Sequence, residues 1–217
     1  MKNTLYHFGD SFSLAKNHFV SLISKKININ YELLGISGSS NHQIFSEILK
    51  NDFRFEAGDI IFVNWSFLHR GCYVNKGKIE STNIFFDEVS NTRLEGEDYY
   101  ETFCKEHLFI LDYTLNNSYD INIKLFDGMV SPYFNSLKHR GIKTYNLFIN
   151  ESENLYYNTK VIKNNGNLIN LDNIIKFEPS FYHWLLDNGY MKQQDVHYTF
   201  GVQNIIADVV FNKMNNL

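Results

Sequence analysis

The first 65 residues of the chain alternate between strand-like and helix-like segments, and this alternation constrains the fold more than any other feature. Apolar or alternating runs at residues 5–8, 27–34 and 60–63 predict three strands. Between them, residues 14–23 and 42–49 carry apolar side chains at helical spacing. Because this order is typical of doubly wound α/β folds, we predict a single flavodoxin-like three-layer α/β/α domain with a mainly parallel central sheet.

The rest of the chain extends this pattern with interruptions. The predicted elements are a strand over residues 143–149 and helices over 98–115, 121–137, 181–186 and 202–214. Two stretches lose periodicity: an irregular excursion around 70–97 and an Asn-rich loop region around 150–176. Since the chain has 217 residues and no internal repeats, one domain over residues 1–217 is the simplest division.

Composition and charge argue against several classes of protein. The net charge is -4 and the basic residues are scattered, so we expect no nucleic-acid partner. No apolar run is long enough to span a bilayer, so we expect no membrane partner. The two cysteines have neither CxxC nor zinc spacing, and no metal is predicted. No secretion signal precedes the first strand, which predicts a cytoplasmic protein and leaves a virion open.

A Gly-Asp-Ser turn, residues 9–11, follows the first predicted strand. If a helix starts soon after this turn, Ser11 lies near unpaired N–H groups and the positive end of the helix dipole. That position suits a nucleophilic oxygen whose attack on a carbonyl creates an oxyanion. An Asp-Ser pair before a helix is also an ordinary N-cap, so the turn alone leaves both interpretations open.

Asp195 and His197 stand shortly before the last predicted helix, in a predicted loop. A carboxylate there can hydrogen-bond one imidazole nitrogen, which leaves the other nitrogen free to take a proton from a serine. The alternative is a partly buried structural histidine beside a surface or capping aspartate.

The order of these motifs resembles the SGNH hydrolases, also called GDSL-like esterases and lipases. Phe8-Gly9-Asp10-Ser11 matches the first block of that family, and Gly38 in Ile36-Ser37-Gly38-Ser39 matches the second. Asp195 and His197 match the last block. The resemblance implies that Ser11 is the nucleophile and an oxyanion donor, that Gly38 is a second donor, and that Asp195 orients the base His197.

Two blocks depart from the family pattern. The last block usually reads DxxH, whereas here Gln194 occupies the −3 position and Asp195 the −2 position, so a Ser-His dyad is an alternative. The third block usually reads Gly-x-Asn-Asp after the third strand. Asn64 is the amide available there as a third oxyanion donor, although in strict register Ser66 stands nearer the glycine position and no asparagine follows.

The resemblance implies a serine ester hydrolase that uses no cofactor and no metal. Its implied substrates are small esters such as acetylated carbohydrate, because no long apolar lid helix for lipids is evident. Trp65, Tyr99 and Tyr100 could line a sugar cleft or belong to the core. The alternative is a catalytically weak or inactive SGNH-fold protein that serves as a structural or glycan-binding component, for example of a virion. Under either interpretation, oligomerisation or assembly into a larger complex is compatible with the sequence.

Overall fold

The computed structural model describes residues 2–10, 13, 18–66, 72–75, 78–81, 124–149, 171–178, 180–192, 195–198 and 201–217, with the backbone alone for 72–75, 78–81, 192 and 195–198. These ranges hold eight strands and five α-helices in the order β1 (Thr4–Gly9), α1 (Phe19–Lys26), β2 (Asn30–Leu33), α2 (Asn41–Lys50), β3 (Ile60–Trp65), β4 (Cys72–Asn75), β5 (Lys78–Ser81), α3 (Ser131–His139), β6 (Lys143–Phe148), α4 (Phe181–Asp187), β7 (Met191–Lys192), β8 (Asp195–Tyr198) and α5 (Gln203–Met214).

The central sheet has four parallel strands in the order β2-β1-β3-β6. This order corresponds to the first four strands of the doubly wound order 2-1-3-4-5. The outer edge of β6 is partly paired as well: the Asn146 N–H donates to the Asn173 carbonyl at 3.1 Å, and the Ile175 N–H donates to the Asn146 carbonyl at 2.8 Å. The predicted parallel α/β class is therefore confirmed.

Alternating side chains of the strands supply two hydrophobic layers, one on each face of the sheet. Leu5, Phe62 and Leu147 pack with residues of α1, α4 and α5 on one face. Their neighbours in sequence face the other way and pack with residues of α2 and α3; this second set includes Tyr6, Phe8, Ile61, Val63, Trp65 and Phe148. Successive residues of a strand point to opposite faces of the sheet, and here helices cover both faces. Most side chains of the central strands are therefore apolar in both directions. The result is a single three-layer α/β/α domain.

The first helix begins later than the sequence predicts. Residues 14–17 lie outside the described part of the chain, and α1 starts at Phe19 with His18 as its N-cap. The ring Nδ1 of His18 accepts a hydrogen bond from the Val20 N–H at 3.2 Å, and the Phe19 N–H donates to Gln203 Oε1 at 2.8 Å. The prediction that this helix starts at about Leu14 is therefore wrong, because α1 begins at Phe19 and its first two N–H groups are bound by Gln203 and His18.

The helix predicted over residues 121–137 is present in altered form. From Phe126 to Val130 the backbone is a π-helical turn, which continues directly into α3. Pro132 lies in the first turn of α3, where a residue without an N–H is tolerated. Gly141 follows this segment with a φ of +79°, a conformation that favours glycine after a helix.

Other predictions have mixed outcomes. The helices predicted over residues 181–186 and 202–214 are confirmed by α4 and α5, and the strand over 143–149 by β6. Within the excursion predicted around 70–97, β4 and β5 form an antiparallel hairpin. The helix predicted over 98–115 and residues 150–170 of the Asn-rich region lie outside the described residues. In the described part of the chain, no helix is both long enough and apolar enough to cross a bilayer.

Trp65 belongs to the core and does not line a cleft. Its side chain is fully buried, packs against Phe126 and Phe148, and donates from Nε1 to Asn146 Oδ1 at 2.9 Å. A buried indole needs such a partner for its N–H. Tyr99 and Tyr100, the other two aromatic residues considered for a sugar cleft, lie outside the described residues.

Candidate functional site

The candidate site lies at the carboxyl edge of the parallel sheet, where β1 and β3 end side by side. The register pairs Gly9 with Asn64. In the strand order β2-β1-β3-β6, the chain reverses direction of winding between β1 and β3. Doubly wound folds bind ligands outside the carboxyl ends of the strands at such a switch point.

Gly9 allows the end of β1 to approach its neighbours closely. A Cβ atom added to Gly9 would lie 2.0 Å from Ser13 Oγ and 3.0 Å from both the Cβ and the carbonyl oxygen of Asn64. No side chain fits this space without displacing Ser13 or Asn64. The glycine of the Gly-Asp-Ser motif is therefore required by packing, whatever the chemistry of the site.

Asn64 is fully buried beside the chain that follows β1. Its Nδ2 donates a hydrogen bond to Ser13 Oγ at 3.2 Å, and Ser13 is itself fully buried. Ser13 is held by a turn in which its N–H donates to the Asp10 carbonyl at 2.9 Å. The Oδ1 of Asn64 is buried and has no hydrogen-bond partner within the described structure.

A second set of buried polar side chains joins β1, α2 and β3. The Ser66 hydroxyl donates to Asp10 Oδ2 at 2.8 Å, and the Ser66 N–H donates to Asn41 Oδ1 at 2.8 Å. All three residues are buried. Because buried polar groups are stable only when hydrogen-bonded, these contacts hold the carboxylate of Asp10 and the start of α2 against the end of β3. Ser66 thus supports Asp10 in this structure.

The loop that carries Gly38 is attached to the same sheet edge. The Ile36 N–H donates to the Gly9 carbonyl at 2.9 Å, continuing the pairing of β2 with β1. Gly38 follows with a φ of +73°, a conformation that favours glycine. Ser40 then caps α2, because its hydroxyl accepts from the Gln43 N–H and the Gln43 side chain accepts from the Ser40 N–H.

Asp195 and His197 lie in a strand, so the prediction of a loop there is wrong. They are alternate residues of β8, which pairs antiparallel with β7 and precedes α5. Their side chains and the whole of Ser11 lie outside the described part of the structure. The roles of Ser11, Asp195 and His197, and the contact between Ser11 and His197, stay predictions.

A buried pair of histidines, one in β1 and one at the N-cap of α1, was not predicted from the sequence. His7 and His18 are both buried, and their ring centroids are 4.7 Å apart. His7 Nδ1 lies 2.9 Å from the Tyr31 hydroxyl, while His7 Nε2 has no partner among the described residues. Burial, together with the neighbouring His18, holds the pKa of His7 well below its usual value, and burial raises the pKa of the Tyr31 hydroxyl. The position of His7 among apolar residues of β1, on the same face as Leu5, is the signal that could have indicated its burial.

The described residues contain no group of three or more His, Cys, Asp or Glu side chains arranged to hold a metal ion. The polar groups at the sheet edge are instead hydroxyls, carboxamides and one buried carboxylate. Such groups can position a substrate and donate hydrogen bonds to a developing negative charge. Fold and site together define an α/β protein with a polar candidate site at the carboxyl ends of its central parallel strands.

Comparison with known proteins does not assign the chain to a family. No family model matches the sequence, and no curated protein matches it. Among solved structures, the chain is similar to a protein described as "a putative SGNH hydrolase from Slackia heliotrinireducens". The two share 10% sequence identity with a TM-score of 0.43, and the similarity covers 99% of this chain and 100% of that chain. A similarity at this level does not identify a family.

Proposed function

We propose that this chain is a serine ester hydrolase of the SGNH type. The observation that supports the proposal most is the meeting of three segments at one sheet edge. They are the turn after β1, the loop after β2 and the end of β3, in which the family carries its oxyanion donors. Gly9 is paired with Asn64, and the loop with Gly38 is hydrogen-bonded through Ile36 to the Gly9 carbonyl. Three separate parts of the chain thus adjoin at the place where doubly wound folds bind ligands, and this supports the proposal.

In the proposed reaction, Ser11 Oγ attacks the acyl carbon of the ester while His197 takes the hydroxyl proton. The tetrahedral intermediate collapses when the ester C–O bond breaks, and His197 returns the proton to the leaving alcohol. Water then attacks the acyl-enzyme, with His197 again as base, and the acid leaves as Ser11 Oγ regains its proton. Asp195 orients His197 and stabilises the imidazolium. Each step uses side chains and water, so the proposal requires neither cofactor nor metal.

The proposed oxyanion donors are the N–H groups of Ser11 and Gly38 together with the carboxamide of Asn64. Buried donors of this kind stabilise negative charge strongly, because little water competes for them. Asn64 meets this condition because its side chain is fully buried. For the substrate class we propose small acyl esters, above all acetyl groups on carbohydrate, on the basis of the family resemblance in the sequence.

The proposal is tested by labelling with a fluorophosphonate probe and by hydrolysis of p-nitrophenyl acetate. We expect the wild-type protein to be labelled and Ser11→Ala to be inert. Ser136→Ala is the matched control, since Ser136 is exposed on α3 and its hydroxyl donates only to the Tyr133 carbonyl among described residues. His197→Ala should lower kcat by at least about 10⁴-fold.

A wild-type protein that is unlabelled and indistinguishable from Ser11→Ala in hydrolysis would refute the hydrolase proposal. The alternative, a non-catalytic glycan-binding or structural component, then becomes the better explanation. It predicts that wild type and Ser11→Ala bind an acetylated glycan equally well, without loss of the acetyl group. Mass spectrometry of the recovered glycan measures this directly.

A further inference from the structure

We propose that Ser13 is a positioning residue. Its hydroxyl holds one end of the Asn64 carboxamide, so that the other end can bind an anionic oxygen of the ligand. This inference rests on the proposed function, which identifies the anionic oxygen: it belongs either to the oxyanion of the reaction or to the carboxylate of the acid product. It assigns a role to a serine two residues beyond the predicted nucleophile.

The first observation is that Ser13 and Asn64 have very little freedom to move apart. Both are fully buried, and Nδ2 of Asn64 lies 3.2 Å from Ser13 Oγ. The missing side chain of Gly9 provides the space for the Ser13 hydroxyl. The hydrogen bond from the Ser13 N–H to the Asp10 carbonyl fixes the backbone of the serine.

The second observation is that, among the described residues, one end of the Asn64 carboxamide has a hydrogen-bond partner and the other has none. Nδ2 donates to Ser13, while the buried Oδ1 has no partner in the described structure. An unpaired buried carbonyl is unfavourable, and native proteins rarely retain one without a ligand, water or functional reason. A carboxamide with one end held and the other unpaired, at a sheet edge that suits ligand binding, indicates that the second end meets the ligand.

The chemistry of the serine hydroxyl determines which ligand atom fits. A hydroxyl both donates and accepts, so Ser13 can hold the carboxamide in either of two orientations related by a half-turn of the amide. In the observed orientation Ser13 accepts from Nδ2. After the half-turn Ser13 donates to Oδ1, and Nδ2 takes the unpaired position. An anionic oxygen selects the second orientation, because it can accept from Nδ2 but cannot donate to Oδ1.

Binding can be measured separately from catalysis with acetate, the product expected from an acetyl ester. In ¹⁵N-labelled protein, the Asn64 side-chain amide signals are identified by their loss in Asn64→Ala. We expect acetate to shift these signals in the wild type and in the control Ser24→Ala. Ser24 is equally buried and its hydroxyl donates to the Ser21 carbonyl in α1. In Ser13→Ala the shift should be lost, and in Ser13→Cys, which keeps a weak donor and a similar size, it should persist in reduced form.

Catalysis gives the second readout, a double-mutant cycle of Ser13→Ala and Asn64→Ala with p-nitrophenyl acetate. Loss of an oxyanion donor typically lowers kcat by about 10²–10³-fold, and we expect a loss up to this size for Asn64→Ala. Ser13→Ala should lower kcat by about 10-fold or more with little change in KM, and should cause no further loss in the Asn64→Ala background. Independent, multiplicative losses in the cycle would overturn the role of Ser13.

The two proposals fail in different ways. If acetate leaves the Asn64 signals of the wild type unchanged, or shifts them equally in Ser13→Ala, the positioning role is wrong even in an active esterase. If acetate shifts the signals as expected and neither labelling nor hydrolysis exceeds that of Ser11→Ala, the positioning of an anion-binding carboxamide stands and the hydrolase proposal alone fails.

Discussion

Gly9 lies directly opposite Asn64 in the parallel pairing of β1 and β3, and there is no room for a side chain between them. This contact brings the end of the first strand, the buried Ser13 hydroxyl and the Asn64 carboxamide into one small volume. The requirement is steric and does not depend on an unusual backbone conformation. It therefore makes a prediction about stability that is independent of any catalytic role.

We expect Gly9→Ala to lower the free energy of unfolding by about 1–3 kcal/mol, the usual cost of overpacking a dense region. The added methyl group would lie 2.0 Å from Ser13 Oγ, so the Ser13–Asn64 hydrogen bond should be lost as well. Urea denaturation measures the change. Gly128→Ala is the control, because a Cβ added there meets no atom within 4 Å. We expect this variant to lower the free energy of unfolding by no more than about 0.5 kcal/mol. Equal stability of Gly9→Ala and wild type would contradict the packing argument.

Ser66→Ala removes a buried donor from the carboxylate of Asp10. Hydrogen bonds to charged groups contribute about 1.5–3 kcal/mol, and the loss should appear as reduced stability in urea denaturation. The backbone N–H of Ser66 still donates to Asn41 in this variant, so the start of α2 should stay attached. The exposed Ser136→Ala serves as control and should change stability by less than about 0.5 kcal/mol. If the two variants are equally stable, the hydrogen bond to Asp10 contributes little.

His7 predicts a loss of stability in mild acid. Burial and the nearby His18 hold the pKa of His7 well below its usual value, so the ring stays neutral in the folded protein. The unfolded chain takes up this proton below about pH 6.5 and then binds more protons than the folded chain, so stability falls as the pH falls. The contribution is at most about 1.4 kcal/mol per pH unit.

The measurement is the free energy of unfolding at about pH 7.5 and about pH 5.5, in the wild type and in His7→Asn. The variant lacks the titrating ring, so its dependence on pH should be weaker, whatever its absolute stability. His139→Asn is the control, because His139 is exposed at the end of α3. The stability of this variant should depend on pH in the same way as that of the wild type. An unchanged slope in His7→Asn would show that other groups cause the acid sensitivity.

Asn146 should be more important for stability than a typical asparagine. Its Oδ1 accepts from the buried Trp65 Nε1 at 2.9 Å, and its Nδ2 donates to the Asp172 carbonyl at 3.0 Å. Asn146→Ala leaves the indole N–H unpaired in the core, which typically costs about 1–3 kcal/mol. Thermal unfolding followed by circular dichroism tests this. Asn135→Ala, at an exposed position of α3, should leave the melting temperature nearly unchanged. A similar small change in both variants would mean that water replaces the lost partner.

The fold class could be predicted from the sequence because the apolar pattern of each strand and helix lies within one short segment of the chain. The apolar run at residues 60–63 is buried on both faces as part of β3, and the apolar positions of the last helix, including Ile206 and Val210, face the core. The start of α1 could not be predicted in the same way. Its N-cap is a histidine rather than one of the usual capping residues, and one of its first N–H groups is bound by Gln203 from the far end of the chain.

The candidate site was predictable only in part. The Gly-Asp-Ser turn and Gly38 are visible as motifs, but the sequence gives no indication that Ser13 contacts Asn64, since the two are 51 positions apart. The same holds for Ser66 and Asp10, which are 56 positions apart. Such pairs form because parallel strands bring their carboxyl ends together, a consequence of sheet register that no local pattern contains.

The sequence by itself determined the parallel α/β class and the segments in which site residues had to be sought. Periodicity along a chain reports which faces of an element are buried, and this information is local. Only the tertiary structure decided that Gly9 packs against Asn64, that one end of the Asn64 carboxamide is held by Ser13, and that His7 and His18 are buried together. These contacts depend on close packing between elements far apart in sequence, and close packing is a property of the folded chain alone.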